Sequence, residues 1–396
     1  MSAGETGARE EGWPAGGAAA GRVVAGRSHR APAFAGPRGD AHWPLPDPAE
    51  LAAHLAGSPD LEALARRARG VPALGRELVA AGTSGAQVTR TISALADATA
   101  ARAIELVLAE EDLSEVEHCW LAFGSEGRGE QTLDTDQDNG IVFRAAPGRP
   151  VEETRARLVD VARKVNDALV ACGYRRCRGG VMAGNPAWCL TEEEWCRRFG
   201  SWIDDPTPEA LLHATIFFDF RAVQGDPALA EALRDELRRR APAASRFLAL
   251  LTGMALCRRP PIGLLHDFAI ETGGEHPGTI DLKGAASALF VDAARILALA
   301  SGEGAPGTVD RLRRAAAVAG MEEREVEAFV EAFDFVQVLR LRHQLEQERH
   351  GKEPDNRVDP HALNPLERCV LRESLRQAAA LQRRVAHAFG ADAAPA

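Results

Sequence analysis

A glycine-serine pair, Gly124-Ser125, is followed after ten intervening residues by two aspartates, Asp136 and Asp138. In an extended segment, side chains at positions i and i+2 point to the same side, so we expect the two carboxylates to lie together. Like charges this close repel unless a cation lies between them, and hard oxygen ligands suit Mg²⁺. Because a Gly-Ser turn offers backbone N–H groups and a hydroxyl to phosphates, the spacing predicts metal-assisted transfer of a nucleotidyl group.

The alternative for Asp136 and Asp138 is a loop in which both acids only cap turns, which aspartate does readily. Two observations favour metal binding. The spacing from Gly124-Ser125 fits, and an apolar strand, Ile141-Val142-Phe143, follows the acids at once. We therefore interpret both aspartates as metal ligands.

The run from Gly124 to Asn139 resembles the nucleotidyltransferase superfamily that includes DNA polymerase β. More narrowly, it resembles the DUF294 group, which is allied to PII uridylyltransferase and glutamine synthetase adenylyltransferase. The likeness covers roughly residues 45 to 390 and continues through Val181–Trp188, Ile216–Arg221 and Ile280–Lys283. The superfamily usually has an apolar residue between its two acids, whereas this chain and the narrower group have glutamine, here Gln137.

The resemblance implies transfer of a nucleoside monophosphate from a nucleoside triphosphate to an acceptor, with two Mg²⁺ ions. The implied acceptor is a regulatory protein such as a PII-like signal protein, modified in signal transduction. One alternative is a non-catalytic module that senses nucleotides or binds a partner, and another is a transferase for a small molecule. The intact pair of acids favours catalysis over the non-catalytic module.

A third carboxylate is usual in such sites, and Asp219 is the candidate. If Ile216–Arg221 is a strand, alternation puts Asp219 and Arg221 on one face, where Asp219 could be the third metal ligand or the base. The alternative is a local ion pair between Asp219 and Arg221. Asp226 is a rival acid, but its Gly-Asp-Pro setting is typical of a turn at a helix start.

The phosphates need donors and positive charge, and we assign them to Gly124, Ser125, Arg128, Arg221 and Lys283. Gly124 lets the backbone approach, and Ser125 is expected at the β- or γ-phosphate. Arg128 could bind phosphate in a fork or pair with Glu130 instead. Lys283 could reach the triphosphate from a second domain, or pair with Asp281.

Composition limits the class of protein. The chain has 396 residues and a net charge of −10, which disfavours general nucleic-acid binding because phosphate backbones need a basic surface. Its seven cysteines form no CxxC pair and the chain shows no secretory leader, so we expect a cytoplasmic protein with reduced thiols. The most apolar run, Phe247–Cys257, is too short to span a bilayer and predicts a buried helix rather than a membrane segment.

Four regions follow from the pattern of the chain, and the fold class we expect is α+β. Residues 1–44 are predicted to be a disordered arm, 45–115 an N-terminal helical segment, 116–225 the catalytic domain on a mixed sheet, and 226–390 a mostly helical substrate-binding or regulatory domain. That helical domain could also form a homodimer surface.

Hydrophobic periodicity predicts the elements that must position the site. Strands are expected at Cys119–Phe123, Asn139–Phe143, Tyr174–Met182 and Ala214–Val223, with helices at Glu152–Cys172 and Glu192–Trp202. A longer helix capped by Thr83 or Ser84 precedes them. A short hairpin is expected from 268–271 and 279–282, and then helices at about 285–300, 308–319, 322–349 and 363–388.

Overall fold

The structure is a computed structural model that describes residues 47–390 apart from 112, 114, 134, 146–147 and 264–267. The predicted disordered arm, residues 1–44, lies outside the described residues. All described residues belong to one compact unit. The division of the chain into domains therefore stays a prediction.

Four helices precede the sheet: Pro48–Ala56 (α1), Leu61–Ala68 (α2), Gly70–Ala80 (α3) and Gly85–Leu108 (α4). Ser84 caps α4, as predicted, because its side chain accepts a hydrogen bond from the backbone N–H of Gln87. The buried side of α4 carries Val88, Ile92 and Leu95 at helical spacing. This helix packs against the strand Phe220–Gly225, whose Arg221 donates to Asp97 on α4.

The strands within residues 116–225 are Glu117–Phe123 (β1), Asp136–Gln137 (β2), Asn139–Arg144 (β3), Arg175–Arg176 (β4), Cys189–Thr191 (β5) and Phe220–Gly225 (β6). A four-stranded sheet has the order β5-β3-β1-β6, in which β1 is antiparallel to β3 and β6, and β3 is parallel to β5. The short strands β2 and β4 form a separate parallel pair. This mixed sheet among many helices confirms the α+β class. Of the predicted strand over 174–182, only the two residues of β4 form a strand in the structure.

The helices of this region are Gly124–Gly127 (α5), Val151–Ala171 (α6), Glu192–Asp204 (α7) and Pro208–Phe217 (α8). The predicted strand over Ala214–Val223 is wrong in its first half, because α8 continues to Phe217 and β6 begins only at Phe220. Thr207 caps α8. Buried residues then recur at helical spacing, at Ala210, Ala214 and Phe217.

Helices dominate the rest of the chain: Pro227–Arg240 (α9), Ser245–Leu256 (α10), Ala288–Ser301 (α11), Thr308–Ala315 (α12), Glu323–Arg349 (α13) and Pro365–Ala388 (α14). A π-helix, Leu282–Ser287, leads directly into α11. The predicted hairpin is partly wrong. Glu271 does bond Thr279 across a turn, but Ile280–Asp281 (β7) pairs with Arg357–Val358 (β8), which is distant in sequence.

One hydrophobic core joins the sheet to the C-terminal helices. Leu121 and Phe123 of β1 share a cluster of buried residues with Phe290 of α11 and Leu381 of α14. Among the described helices, the continuous stretch Leu282–Ser301 has the length and mean hydropathy of a membrane span, but 72% of its apolar window is buried inside the protein. It is therefore the central helix of this core, and it carries side chains toward the Gly-Ser turn.

Candidate functional site

The Gly-Ser turn is a close junction between β1 and α5 in which two glycines are required. Gly124 has a φ of +57°, and a Cβ there would lie 3.2 Å from Oδ2 of Asp138. At Gly127 a Cβ would lie 2.2 Å from the backbone oxygen of Asp219, which no substituent can tolerate. The turn thus holds Ser125 at the mouth of a cavity and holds Asp138 directly beside it.

Asp138 lies where β2 passes into β3, and its position is fixed by the backbone. Its carbonyl oxygen accepts a hydrogen bond of 2.8 Å from the N–H of Phe123 at the end of β1. Burial raises the pKa of the Asp138 carboxyl and the charge of Asp136 adds to this, whereas a hydrogen bond with Cys177 and the charge of Lys283 lower it. Asp138 makes no salt bridge with any described residue.

Gln137, between the two acids, is a buried polar residue whose hydrogen bonds are all made inside the protein. It is 2% exposed, and its Nε2 donates to the backbone oxygens of Asn166 and Tyr174 at 3.1 and 3.0 Å. Its Oε1 accepts from the side chain of Asn166 at 2.9 Å. The amide is fully used in tying the strand to α6. Gln137 therefore fixes the direction in which its neighbours, Asp136 and Asp138, leave the chain.

Asp136 belongs to β2 and is half-buried. Its Oδ1 lies 3.2 Å from Nε of Arg175, the neighbouring residue on β4. Asp136 must therefore release the guanidinium group of Arg175 before its carboxylate can bind a metal ion. Asp136 and Asp138 are close enough for their charges to interact, as the spacing of the sequence predicted.

The expectation that Asp219 is a third metal ligand is contradicted by its surroundings. Asp219 is 0% exposed, and its Oδ2 accepts from Arg128 at 2.7 Å and from Nη2 of Arg295 at 2.7 Å, while Oδ1 accepts from Arg311. Burial alone would raise the pKa of Asp219, but the charges of Arg295, Arg311 and Arg128 outweigh it and hold that pKa well below its usual range. Both carboxylate oxygens are already occupied. We call these four residues the Asp219 network.

Arg221, the predicted phosphate ligand on β6, is bound to other groups of the protein. It donates to both carboxylate oxygens of Asp97 on α4, and to the backbone oxygen of Glu126 at 3.0 Å. The alternative ion pair between Asp219 and Arg221 is also absent among the described contacts. Because β6 starts after Asp219 rather than before it, the two side chains do not share the strand face on which that interpretation depended.

A cavity of about 230 Å³ opens in front of Gly124, Ser125 and Asp138, and we call it the Ser125 cavity. Positive side chains from distant parts of the chain line it: Arg128, Arg258, Lys283, Arg295 and Arg340. Its acidic lining residues are Asp138, Glu130 and Asp292. The whole chain is acidic, yet this cavity has an excess of positive groups and suits an anionic ligand.

The predicted phosphate ligands Arg128 and Lys283 both line the Ser125 cavity. Arg128 also donates to Glu130 at 2.9 Å, so the predicted pairing with Glu130 is present, and the contact of Arg128 with phosphate stays a prediction. The side chain of Lys283 is exposed and makes no ion pair with a described residue. Asp281 instead caps the π-helix by accepting from the backbone N–H groups of Lys283 and Gly284.

The sequence interpretation missed Arg258, Arg295 and Arg340, although one signal was available. Arg295 is the one arginine in the apolar run of α11, and an arginine there must have buried partners. It is 3% exposed and bonds both Asp219 and Asp292. Arg258 pairs with Asp292 at 2.6 Å, and Arg340 donates to Gln337 at 2.6 Å.

The donor set in front of the turn fits Mg²⁺, which commonly takes one or two protein carboxylates and completes its shell with water and substrate phosphate. Asp138 supplies a carboxylate that lacks a cationic partner, Asp136 supplies a second, and Ser125 supplies a hydroxyl. Within the described part of the chain, no three His, Cys, Asp or Glu side chains form a metal-holding group. These donors would leave the remaining positions of a Mg²⁺ shell to water and to the oxygens of a bound ligand.

Two family models match the chain. The model described as "Putative nucleotidyltransferase DUF294" matches residues 69–209, and the model described as "Putative nucleotidyltransferase substrate binding domain" matches residues 245–389. The first region contains the Gly-Ser turn and both aspartates of the site. The second contributes Lys283, Arg295 and Arg340 to the same cavity. No curated protein matches the chain.

Proposed function

Because the chain belongs to the DUF294 family of nucleotidyltransferases, we propose that it uses Mg²⁺ to transfer a nucleoside monophosphate from a nucleoside triphosphate to an acceptor. The observation that carries this proposal is the carboxylate of Asp138. It lies beside the Gly124-Ser125 turn, faces a cationic cavity and has no positive partner of its own. A divalent cation with a triphosphate would satisfy all three features at once.

Each residue of the site has a separate role in binding the metal ion and the triphosphate. Bound Mg²⁺ would supply charge at the α-phosphate and at the oxygens that attack and leave. Asp138 and Asp136 bind the metal ion through their carboxylates, and Gln137 fixes the direction in which these two side chains leave the strand. Ser125 orients the triphosphate through its hydroxyl. The charge of Lys283 lowers the pKa of Asp138, and in the proposed reaction the same charge balances the negative charge of the departing pyrophosphate.

Arg128 and Arg295 meet the phosphates from opposite regions of the chain and are held by Asp219. Their guanidinium groups line the Ser125 cavity while their other N–H groups are bound to this one buried carboxylate. Such anchoring fixes the donors before substrate arrives, so little reorganisation is needed during the reaction. Asp219 thus acts as a positioning residue.

The described cavity residues supply no separate general base. Glu130 and Asp292 are bound to arginines, and Asp219 is enclosed by three of them. The proton of the acceptor therefore leaves to Asp136 or Asp138, or directly to solvent. An acceptor that is already a good nucleophile at neutral pH suits this site.

The acceptor that we propose is a regulatory protein of the PII type, which receives UMP or AMP in a signalling pathway. Support comes from the resemblance to PII uridylyltransferase and from the second matched region, whose name assigns it to substrate binding. We place the protein in the cytoplasm, and the seven free cysteines support a reducing compartment. We also propose that the chain forms a homodimer through its C-terminal helices. We expect it to bind neither nucleic acid nor a membrane.

Label transfer from nucleoside triphosphates that carry ³²P at the α-phosphate tests this function. The purified chain is mixed with lysate and Mg²⁺, each triphosphate is tried in turn, and the products are separated by size. A labelled protein band that disappears with Asp138→Asn and persists with Asp160→Asn, an exposed control on α6, supports the proposal. A labelled small molecule would contradict the protein acceptor, and nucleotide binding without Mg²⁺-dependent label would contradict catalysis.

A further inference from the structure

A stripe of buried polar side chains runs along α13 and reaches the Ser125 cavity. Gln337, Arg340 and Gln344 are spaced by three and four residues, so they share one face of the helix, and they are 1%, 5% and 0% exposed. Gln337 and Arg340 line the Ser125 cavity. Buried polar groups in folded proteins almost always have hydrogen-bond partners, so a member of this stripe that lacks one points to a ligand or to water.

The end of the stripe away from Gln337 is held by hydrogen bonds within the protein. Oε1 of Gln344 accepts from the backbone N–H of Leu133 at 3.2 Å, and its Nε2 donates to Oδ1 of Asn356 at 3.0 Å. The same oxygen of Asn356 accepts from Nε of Arg340 at 2.9 Å. These bonds tie α13 to the loop before β2, and they hold Arg340 beside Gln337.

The carboxamide of Gln337 has partners on its oxygen only. Its Oε1 accepts from Arg340 at 2.6 Å and from Oγ of Ser287 at 3.2 Å. A guanidinium group only donates, so the atom of the carboxamide that faces Arg340 must be the oxygen. No described residue accepts a hydrogen bond from Nε2, and Nε2 is not among the unpartnered polar atoms that are closed to solvent. Gln337 therefore presents two N–H donors, and no acceptor, to the Ser125 cavity.

The position of Gln337 is fixed by the packing of α13 against α4. A Cβ at Gly85 would lie 2.9 Å from Cβ of Gln337 and 2.8 Å from the backbone oxygen of Asp334. Oδ1 of Asp334 also accepts from the backbone N–H of Ala86 at 2.7 Å. This close contact leaves Gln337 little freedom to move, so its donors are held in place before a ligand binds.

A group that only donates hydrogen bonds selects a ligand atom that only accepts them. In a nucleotide, such atoms are the non-bridging oxygens of the phosphates and the carbonyl oxygens of a keto base. Uracil has a carbonyl where cytosine has an amino group, and guanine has one where adenine has an amino group. An amino group would meet the N–H groups of Gln337 donor to donor and leave both without a partner.

We propose that Gln337 is a specificity-determining residue of the Ser125 cavity, whose amide N–H groups donate to an acceptor oxygen of the bound nucleotide, either on the terminal phosphate or on a keto base. The inference rests on the proposed function, because it takes the ligand of this cavity to be a nucleoside triphosphate. A nucleotide without that oxygen leaves the amide unpaired, and we expect it to bind about fivefold or more weakly.

Two substitutions of Gln337 separate the donor from its surroundings. Gln337→Glu keeps Oε1 for Arg340 and Ser287 but replaces the NH₂ group with an oxygen. Gln337→Met conserves the volume and removes the donor without adding a charge. Gln87→Met, at an exposed position of α4, is the matched control. Urea unfolding of each variant shows that the fold is retained.

Calorimetry with Mg²⁺ and without an acceptor measures the Kd of UTP, CTP, GTP, ATP and the four corresponding diphosphates. We expect both Gln337 variants to bind the preferred triphosphate about fivefold or more weakly than the wild type, and Gln87→Met to match the wild type. If the oxygen belongs to the terminal phosphate, both variants lose the preference for triphosphate over diphosphate. If it belongs to the base, both lose the preference for UTP over CTP or for GTP over ATP.

Three results would overturn the proposal: a wild type that binds no nucleotide, variants that keep both preferences of the wild type, or a loss of affinity with Gln337→Glu alone. The last result would show only that the added charge repels the ligand. Because binding needs no turnover, label transfer can fail while the dependence on Gln337 holds, and label transfer can succeed while Gln337 has no effect. A failure of this inference is therefore distinguishable from a failure of the proposed function.

Discussion

Replacing Asp219 with asparagine removes the one negative charge at the centre of the Asp219 network. The substitution keeps the size of the side chain, so its effect reports the charge and the hydrogen bonds rather than a cavity. Arg128 would retain Glu130 and Arg295 would retain Asp292, but Arg311 would retain only the backbone oxygen of Ala305 among the described residues. Arg311 is 5% exposed, so its charge would be left nearly uncompensated in the interior.

The expected loss in the free energy of unfolding is about 3–5 kcal/mol, because removing one partner of a buried ion pair leaves the other charge buried alone. This is a large part of the roughly 5–15 kcal/mol that stabilises a folded domain. The folded-state pKa of Asp219 lies below its value in the unfolded chain. Its contribution is therefore fully present above about pH 4 and is lost as the pH falls through the folded-state pKa.

Urea unfolding of both proteins between pH 3 and pH 8 measures this difference. Asp97→Asn is the matched control, since Asp97 pairs with a single arginine and its side chain is 25% exposed; we expect it to cost about 1–2 kcal/mol. Adding Arg311→Met to Asp219→Asn should recover much of the loss because the unpaired charge is then gone. An Asp219→Asn protein within about 1 kcal/mol of wild type at pH 7 would refute the network.

Three further predictions concern the turn and the cavity. Burial, with the charges of Asp97 and Asp138, raises the pKa of Glu126 to about 8. In metal-free buffer, the free energy of unfolding of the wild type should therefore fall as the pH rises from about 4 to about 8 and then level off. Urea unfolding of the Glu126→Gln protein should show no such slope. Gly127→Ala should unfold at markedly lower urea, by about 2 kcal/mol or more, because its Cβ would overlap the backbone of Asp219; an unchanged midpoint would show that the turn can open. Lys283→Ala should weaken triphosphate binding about tenfold in calorimetry while leaving the urea midpoint unchanged, and an unaltered affinity would place the phosphates elsewhere.

Local patterns predicted the elements that carry the Gly-Ser turn and the two aspartates. The strands β1 and β3, the cap at Ser84 and the close approach of Asp138 to the Gly-Ser turn all depend on residues that are near one another in sequence. Gly124 is an example: its left-handed backbone and its contact with Asp138 follow from a turn that the sequence itself indicates. The conformation of such a segment is determined by residues within the segment itself, so its own sequence is enough to predict it.

Asp219 could not be predicted in the same way, because its partners come from 76 to 92 residues away along the chain. The alternation argument also assumed that Ile216–Arg221 is extended, whereas capping at Thr207 lets α8 continue to Phe217. Which arginines surround a buried carboxylate is decided by helix packing, and no local pattern in the sequence encodes it. The pairing of β7 with β8 was missed for the same reason.

The central claim is that Asp138, beside the Gly-Ser turn, supplies charge for metal-dependent nucleotidyl transfer. Mg²⁺-dependent pyrophosphate release from the preferred nucleoside triphosphate, measured for the wild type, Asp138→Asn and Asp160→Asn in the presence of the acceptor fraction, tests it directly. The account predicts that Asp138→Asn lowers the rate about a hundredfold or more while Asp160→Asn matches the wild type. Full turnover by the Asp138→Asn protein would contradict it.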